Sequence, residues 1–285
     1  MNRREFLTAL GVAAVAPQFG CASSGAGMGA GTRRLNKVGI QLYTLRDDAR
    51  RDLEGTLVNI AQAGYKEVEL LGSMNNFGMP AQQLRAILDR NGLAAPSTHI
   101  DVGVFDDLER QIDAAKILGH QYLIVASLPD GEKLGPDDYR RWADRFNEAG
   151  ARALRSGMRI GFHDEAWDFR NVGGEVLYDI FAQRTDPATV WLQLDTGNAA
   201  IGGANPLDYM KRYANRYWLF HIKDAPAIGA DHDVELGKGI VDFRSIFRLI
   251  DNIDQKHLYV EQESYPGAPI DSVRRDYEYI SRLEF

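Results

Sequence analysis

Val38-Gly39-Ile40-Gln41-Leu42-Tyr43-Thr44-Leu45-Arg46 is an apolar run closing on a polar turn, and what that turn lacks decides the architecture. An open, doubly wound α/β sheet would carry a glycine-rich phosphate-binding turn after its first strand. Here the turn is Leu42-Tyr43-Thr44-Leu45-Arg46, without glycine. Outward from it, one unit repeats to the end of the chain: a short apolar run, a polar or glycine-rich loop, then a segment of 3.6-residue periodicity. Strands are predicted at 38–42, 67–71, 94–99, 122–126, 159–163, 190–195, 217–221 and 257–261. Between the early ones, Leu53, Leu57, Ile60 and Ala61 share a helical face before Gly64, and Leu108, Ile112 and Ala115 do so before Gly119. Later helices are predicted at 176–183, 206–213, 243–252 and 272–283. Strictly alternating strands and helices imply parallel strands, and eight repeats imply an α/β fold closed as a (β/α)8 TIM barrel.

The chain of 285 residues is long enough for one such barrel as a single domain, expected over residues 33–285. A net charge of −7 and the lack of a basic stripe argue against a nucleic-acid partner. A single cysteine excludes an internal disulfide and any Cys-based zinc site, so a metal here would be held by oxygen and imidazole. Residues 1–32 stand apart. Arg3-Arg4-Glu5-Phe6-Leu7 followed by an apolar stretch to Phe19 has the form of an export signal and resembles the twin-arginine type, which implies an exported, periplasmic protein. Cys21 closes that stretch before a small-residue tether; a lipid on it would be the chain's one membrane contact, and simple cleavage is the alternative.

In a barrel of this kind the active site forms where the strands end, so polar residues closing apolar runs are the informative ones. They are Gln41, Glu69, His99, His163, Asp195, His221 and Glu261. The two-residue period of a strand puts Trp191, Gln193 and Asp195 on one face, and Tyr217, Leu219 and His221 on one face. Asp195, His221 and Glu261 end the last three strands, and such charges converging in a barrel mouth would be costly without a cation. One imidazole with carboxylates suits a single divalent ion, manganese first, then magnesium, cobalt or zinc.

Four stretches, Gly39-Ile40-Gln41-Leu42-Tyr43-Thr44-Leu45-Arg46-Asp47, Leu194-Asp195-Thr196-Gly197-Asn198, His221-Ile222-Lys223-Asp224 and Val260-Glu261-Gln262-Glu263, together resemble the sugar phosphate isomerase/epimerase family of xylose-isomerase-like barrels. The resemblance runs from about Lys37 to the C-terminus. It implies a metal held by Asp195, His221, Glu261 and one further acidic residue after the fifth strand. There the sequence departs from the family's usual His-Asn-His-Asp-x-Glu-Phe, reading His163-Asp164-Glu165-Ala166-Trp167-Asp168-Phe169. Asp168 stands at the position of the family glutamate, and Glu165 replaces its second histidine. Either could be the fourth ligand, leaving the other as an acid/base group.

The chemistry expected is proton removal next to a carbonyl of a sugar or sugar derivative, with a metal stabilising the enediolate. Glu261 and Glu165 are the expected acid/base carboxylates, with His163 or Lys223 relaying or supplying a proton. Gln41, Glu69 and His99, from the early strands, are expected to bind substrate hydroxyls. Asp231-His232-Asp233 reads as a loop or lid. Isomerisation or epimerisation is the first reading. A lyase or hydratase acting on a keto-sugar would use the same site, and a non-catalytic carbohydrate-binding barrel is the alternative outside enzymology. Nothing in the sequence opposes an oligomer.

Overall fold

Eight parallel strands close on themselves in a computed structural model that describes residues 32–285. They are β1 (Gly39–Gln41), β2 (Glu67–Leu71), β3 (Ser97–Ile100), β4 (Tyr122–Val125), β5 (Arg159–His163), β6 (Val190–Asp195), β7 (Tyr217–Ile222) and β8 (His257–Val260). Each pairs in parallel with the next, and β1 pairs with β8 to complete the barrel. The expected TIM barrel is therefore the observed fold. The predicted export segment, with Arg3, Arg4 and Cys21, lies outside the described residues.

Helices follow the strands where periodicity put them, with informative departures at the ends. The helix Leu53–Ala63 starts from Asp52, whose side chain accepts the Gly55 N–H, and stops at Gly64, held at φ 115°, a conformation costly for residues with a Cβ. The helix predicted at 243–252 ends earlier, at Leu249, because Ile250 is extended and Asn252 turns left-handed at φ 51°. One element was not anticipated: Asn171–Val172 and Glu175–Val176 pair antiparallel across Gly173-Gly174, both at positive φ. The glycine pair supplies the left-handed backbone that such a two-residue turn needs.

The core has two parts. A large shell between the sheet and the helices includes Ile40, Val68, Leu123, Phe162, Leu192, Phe220 and Val260, matched by Leu57, Leu84, Phe146 and Phe247 from the helices. A small plug of Tyr122, Ile124, Leu219 and Tyr259 fills the barrel's interior. Apart from that plug the interior is polar, which is unusual enough to need an account. Gln41, Glu69, Gln193, Asp195 and His221 are all fully buried. Register sets the site: Asp195 lies directly opposite His221 on β7, and His221 opposite Tyr259 on β8, two residues before Glu261.

Candidate metal centre

Asp195 ends β6 and also caps the helix Thr196–Ile201 that follows it. Its Oδ1 accepts the N–H groups of Gly197 and Asn198, both at 2.8 Å. The cap fixes the carboxylate so that Oδ2 faces the barrel mouth, 3.1 Å from Lys223 Nζ, 3.6 Å from His163 Nε2 and 3.8 Å from His221 Nδ1. Thr196 ties this helix to β7: its hydroxyl lies 2.8 Å from Lys223 O and accepts the Lys223 N–H at 3.1 Å.

His221 is oriented from below. Its Nε2 donates to Glu69 Oε2 at 2.6 Å, which turns Nδ1 toward Glu261 Oε2 at 2.9 Å. Glu69 is itself saturated, accepting from Gln41 Nε2 at 2.7 Å, from Gln193 Nε2 at 3.0 Å and from the Ser97 hydroxyl. Burial would raise its pKa, yet the His99 and His221 imidazoles and these donors hold it at about 2. A carboxylate that fixes a histidine's tautomer from behind is the usual partner of a metal-binding imidazole. Gln41 and Glu69, expected to meet substrate hydroxyls, are thus corrected to buried supports of His221: both are wholly inaccessible and spend their bonds inward. His99 also turns inward, its Nε2 bonded to Gln193 Oε1 at 2.9 Å, and burial lowers its pKa to about 4.

The fourth position is also redrawn. Asp168 is buried, but one oxygen accepts the Tyr139 hydroxyl and the other the Glu165 N–H at 2.8 Å, so both are spent closing the turn Ala166–Phe169. The structure does not bring Asp168 to Asp195, His221 and Glu261. His163 lies with them instead. Its Nδ1 contacts the Ala126 carbonyl at 2.9 Å, which leaves Nε2 directed at the cluster. Donor atoms of His163, Asp195, His221 and Glu261 lie within 4.8 Å of one another, and all four residues are buried. The place of His163 was legible in the sequence, since it ends an apolar strand as Asp195 does, although the role expected for it was proton relay.

Glu165 stands above this group, its Oε2 3.3 Å from Asn198 Nδ2, and burial pushes its pKa to about 8. Burial and His221 push His163 down, but Asp195 and Glu165 outweigh them and carry it to about 9. Against the same burial, Lys223 and His221 hold Glu261 well below the carboxylate range. Asp195 Oδ2 and His163 Nε2 are buried and have no hydrogen-bond partner among the described residues. Lys223 Nζ answers the carboxylate as an ion pair at 3.1 Å, while His163 Nε2 keeps bonding capacity that a bound group could use. Two imidazoles and two carboxylates sharing one small space fit a divalent metal.

Above the cluster opens a polar cavity of about 360 Å³ lined by Arg46, Asn198, Lys223, His232 and Glu263. Asp233 straps its wall by accepting the N–H groups of Glu263 and Ser264 at 2.6 and 2.7 Å, while Asp231 and His232 pair on the surface. Asp231-His232-Asp233 is therefore loop, as read. Asn198 and Glu263, which line the cavity, meet Lys223 through contacts across strands that no local sequence pattern contains.

Residues 57–283 match the model of the xylose isomerase-like TIM barrel. The chain belongs to that family. Similar proteins include the inosose dehydratases of Geobacillus kaustophilus, 26% identical over 80% of this chain and 86% of that one, and of Clostridium beijerinckii, 27% identical over 80% and 88%. Among solved structures, a sugar phosphate isomerase/epimerase from Parabacteroides distasonis superposes with a TM-score of 0.75 at 23% identity, covering 88% of this chain and 97% of that one. The IOLI protein with a bound zinc atom superposes with a TM-score of 0.67 at 16% identity, covering 85% and 95%. These structures share the xylose isomerase-like fold.

Proposed function

We propose that this barrel is a metal-dependent carbon–oxygen lyase acting on a polyhydroxylated ketone, such as a keto-sugar or keto-cyclitol. The observation that carries the reading is the convergence of His163, Asp195, His221 and Glu261 in a buried group beneath a polar cavity. Those four would hold the ion, and the ion would supply Lewis-acid stabilisation of the enediolate. The second imidazole keeps manganese in first place and moves cobalt and zinc ahead of magnesium.

Glu261, ionised, takes the proton from the carbon next to the carbonyl. Glu165, held protonated by burial, returns a proton to the hydroxyl on the following carbon, so that a C–O bond breaks, a C=C bond forms and water leaves. Lys223, between Glu261 and the cavity, orients oxygens of the substrate. The inosose dehydratase relatives support elimination over the isomerisation that the sequence put first. Without a departing hydroxyl, the same proton removal would isomerise or epimerise the substrate. The twin-arginine segment supports an exported enzyme, and changing Arg3 and Arg4 to lysine should leave the protein in the cytoplasm.

The test is to incubate metal-loaded protein with inososes, free ketoses and 3-keto-glycosides and to follow product mass. Loss of one water, with a new conjugated carbonyl absorbance, is expected. Turnover at unchanged mass would make the protein an isomerase or epimerase instead.

A further inference from the structure

Lys223 is 2% exposed, yet its ammonium has carboxylates on several sides. Nζ lies 2.9 Å from Glu261 Oε2, 3.1 Å from Asp195 Oδ2 and 2.8 Å from Glu263 Oε1, with Asn198 Oδ1 at 3.4 Å. Two of these oxygens, on Asp195 and Glu261, are the ones that His163 Nε2 and His221 Nδ1 also face. The other two partners stand at the mouth: Glu263 has a side chain 40% exposed and, with Asn198, lines the cavity. The sequence makes room for this placement. A Cβ at Gly197 would lie 2.5 Å from Lys223 Cγ and 2.8 Å from its Cβ, so the lysine stem crosses where only glycine lets it pass. From one position the ammonium touches oxygens of the buried cluster on one side and a partly exposed carboxylate on the other, so a competitor for the first set would still leave it the second.

We propose that Lys223 is a tethered competitor for the metal, and that Glu263 sets the metal affinity of the barrel by offering the ammonium its alternative seat. The inference rests on the metal reading above. An ammonium and a divalent ion drawing on the same two oxygens repel one another strongly in a buried site. Ion binding therefore drives Lys223 toward Glu263 and Asn198, and with it a positive charge toward the cavity where substrate hydroxyls arrive. Metal loading and substrate binding are coupled through one side chain.

The experiment is a Mn²⁺ titration of chelator-stripped protein, read by calorimetry and by the EPR signal of free Mn²⁺. It compares wild type with Lys223→Met, Glu263→Gln and the double variant. Lys223→Met should bind about tenfold tighter, because the competitor is gone. Glu263→Gln should bind several-fold weaker, because the lysine loses its outer seat. In the Lys223→Met background the Glu263→Gln change should have almost no effect, a non-additivity that simple charge attraction by Glu263 would not produce. Equal or weaker binding by Lys223→Met, or additive effects in the cycle, overturns the proposal and leaves the metal reading intact. Should wild type bind no Mn²⁺, Co²⁺ or Zn²⁺, both fail. Should Lys223→Met not fold, Lys223→Gln takes its place in the same cycle, with the same non-additivity expected.

Discussion

Two ionic clusters, one partly buried and one fully buried, occupy opposite ends of this barrel, and they differ in how completely they are satisfied. At the N-terminal ends of the strands, Glu67 gives one oxygen to Lys37 Nζ at 2.6 Å and the other to His257 Nδ1 at 2.8 Å. Burial would raise its pKa, but these partners bring it below the usual carboxylate value. Both oxygens of Glu67 thus have a partner. At the C-terminal ends, Asp195 Oδ2 and His163 Nε2 are buried without hydrogen bonds, and Lys223 is shared among three carboxylates. The same residue types build a closed structural ion pair at one end and an open site at the other. What separates them is the unmet bonding capacity, which a folded protein tolerates mainly where function uses it.

Removing a ligand at the open end should have the largest effect. Asp195→Ala should abolish metal binding and lower kcat/KM on the order of a thousandfold, as loss of a preorganised electrostatic group does, and circular dichroism should show the fold retained. At the closed end the consequence should be stability alone: Glu67→Ala leaves His257 without its partner and returns the partly exposed Lys37 to water, and should cost about 1 to 2 kcal/mol in urea unfolding, with metal affinity unchanged. A variant that weakened metal binding from that end would erase the contrast. Glu69→Gln sits between the two, supporting His221 without touching the ion, and should weaken metal binding by about 10- to 100-fold in a direct titration.

The smallest effect expected is on acid stability. His120, just before β4, is buried against the Ala95 carbonyl at 2.6 Å, and burial lowers its pKa to about 4. Its folded pKa lies below the unfolded value, so its contribution is complete above about pH 6.5 and is lost progressively as the pH falls toward 4. Unfolding free energies at pH 7 and 5.5 should differ by about 1 kcal/mol from this group, and His120→Gln should flatten that slope.

The site was legible to the extent that it is carried by strand ends. Asp195, His221 and Glu261 close apolar runs on adjacent strands, and the barrel geometry alone brings such positions together. Asp168 misled because position in a motif says nothing about which hydrogen bonds a side chain has already made; Tyr139, from a helix far back in the chain, and the Glu165 N–H decide that. Gln41 and Glu69 misled for a related reason, since a polar strand end can face the mouth or turn inward to hold a neighbour.

Periodicity, glycine stops and the turn after the first strand thus determined the barrel, its strand order and three of the four residues that meet in its mouth, because these follow from backbone rules acting over a few residues at a time. Only the tertiary structure decided that His163 rather than Asp168 completes the group, that Glu69 fixes the His221 tautomer, and that Lys223 lies between the ligands and the cavity. Those choices depend on which donor reaches which oxygen across strands, a competition among hydrogen bonds and charges that is settled only once every side chain has its place.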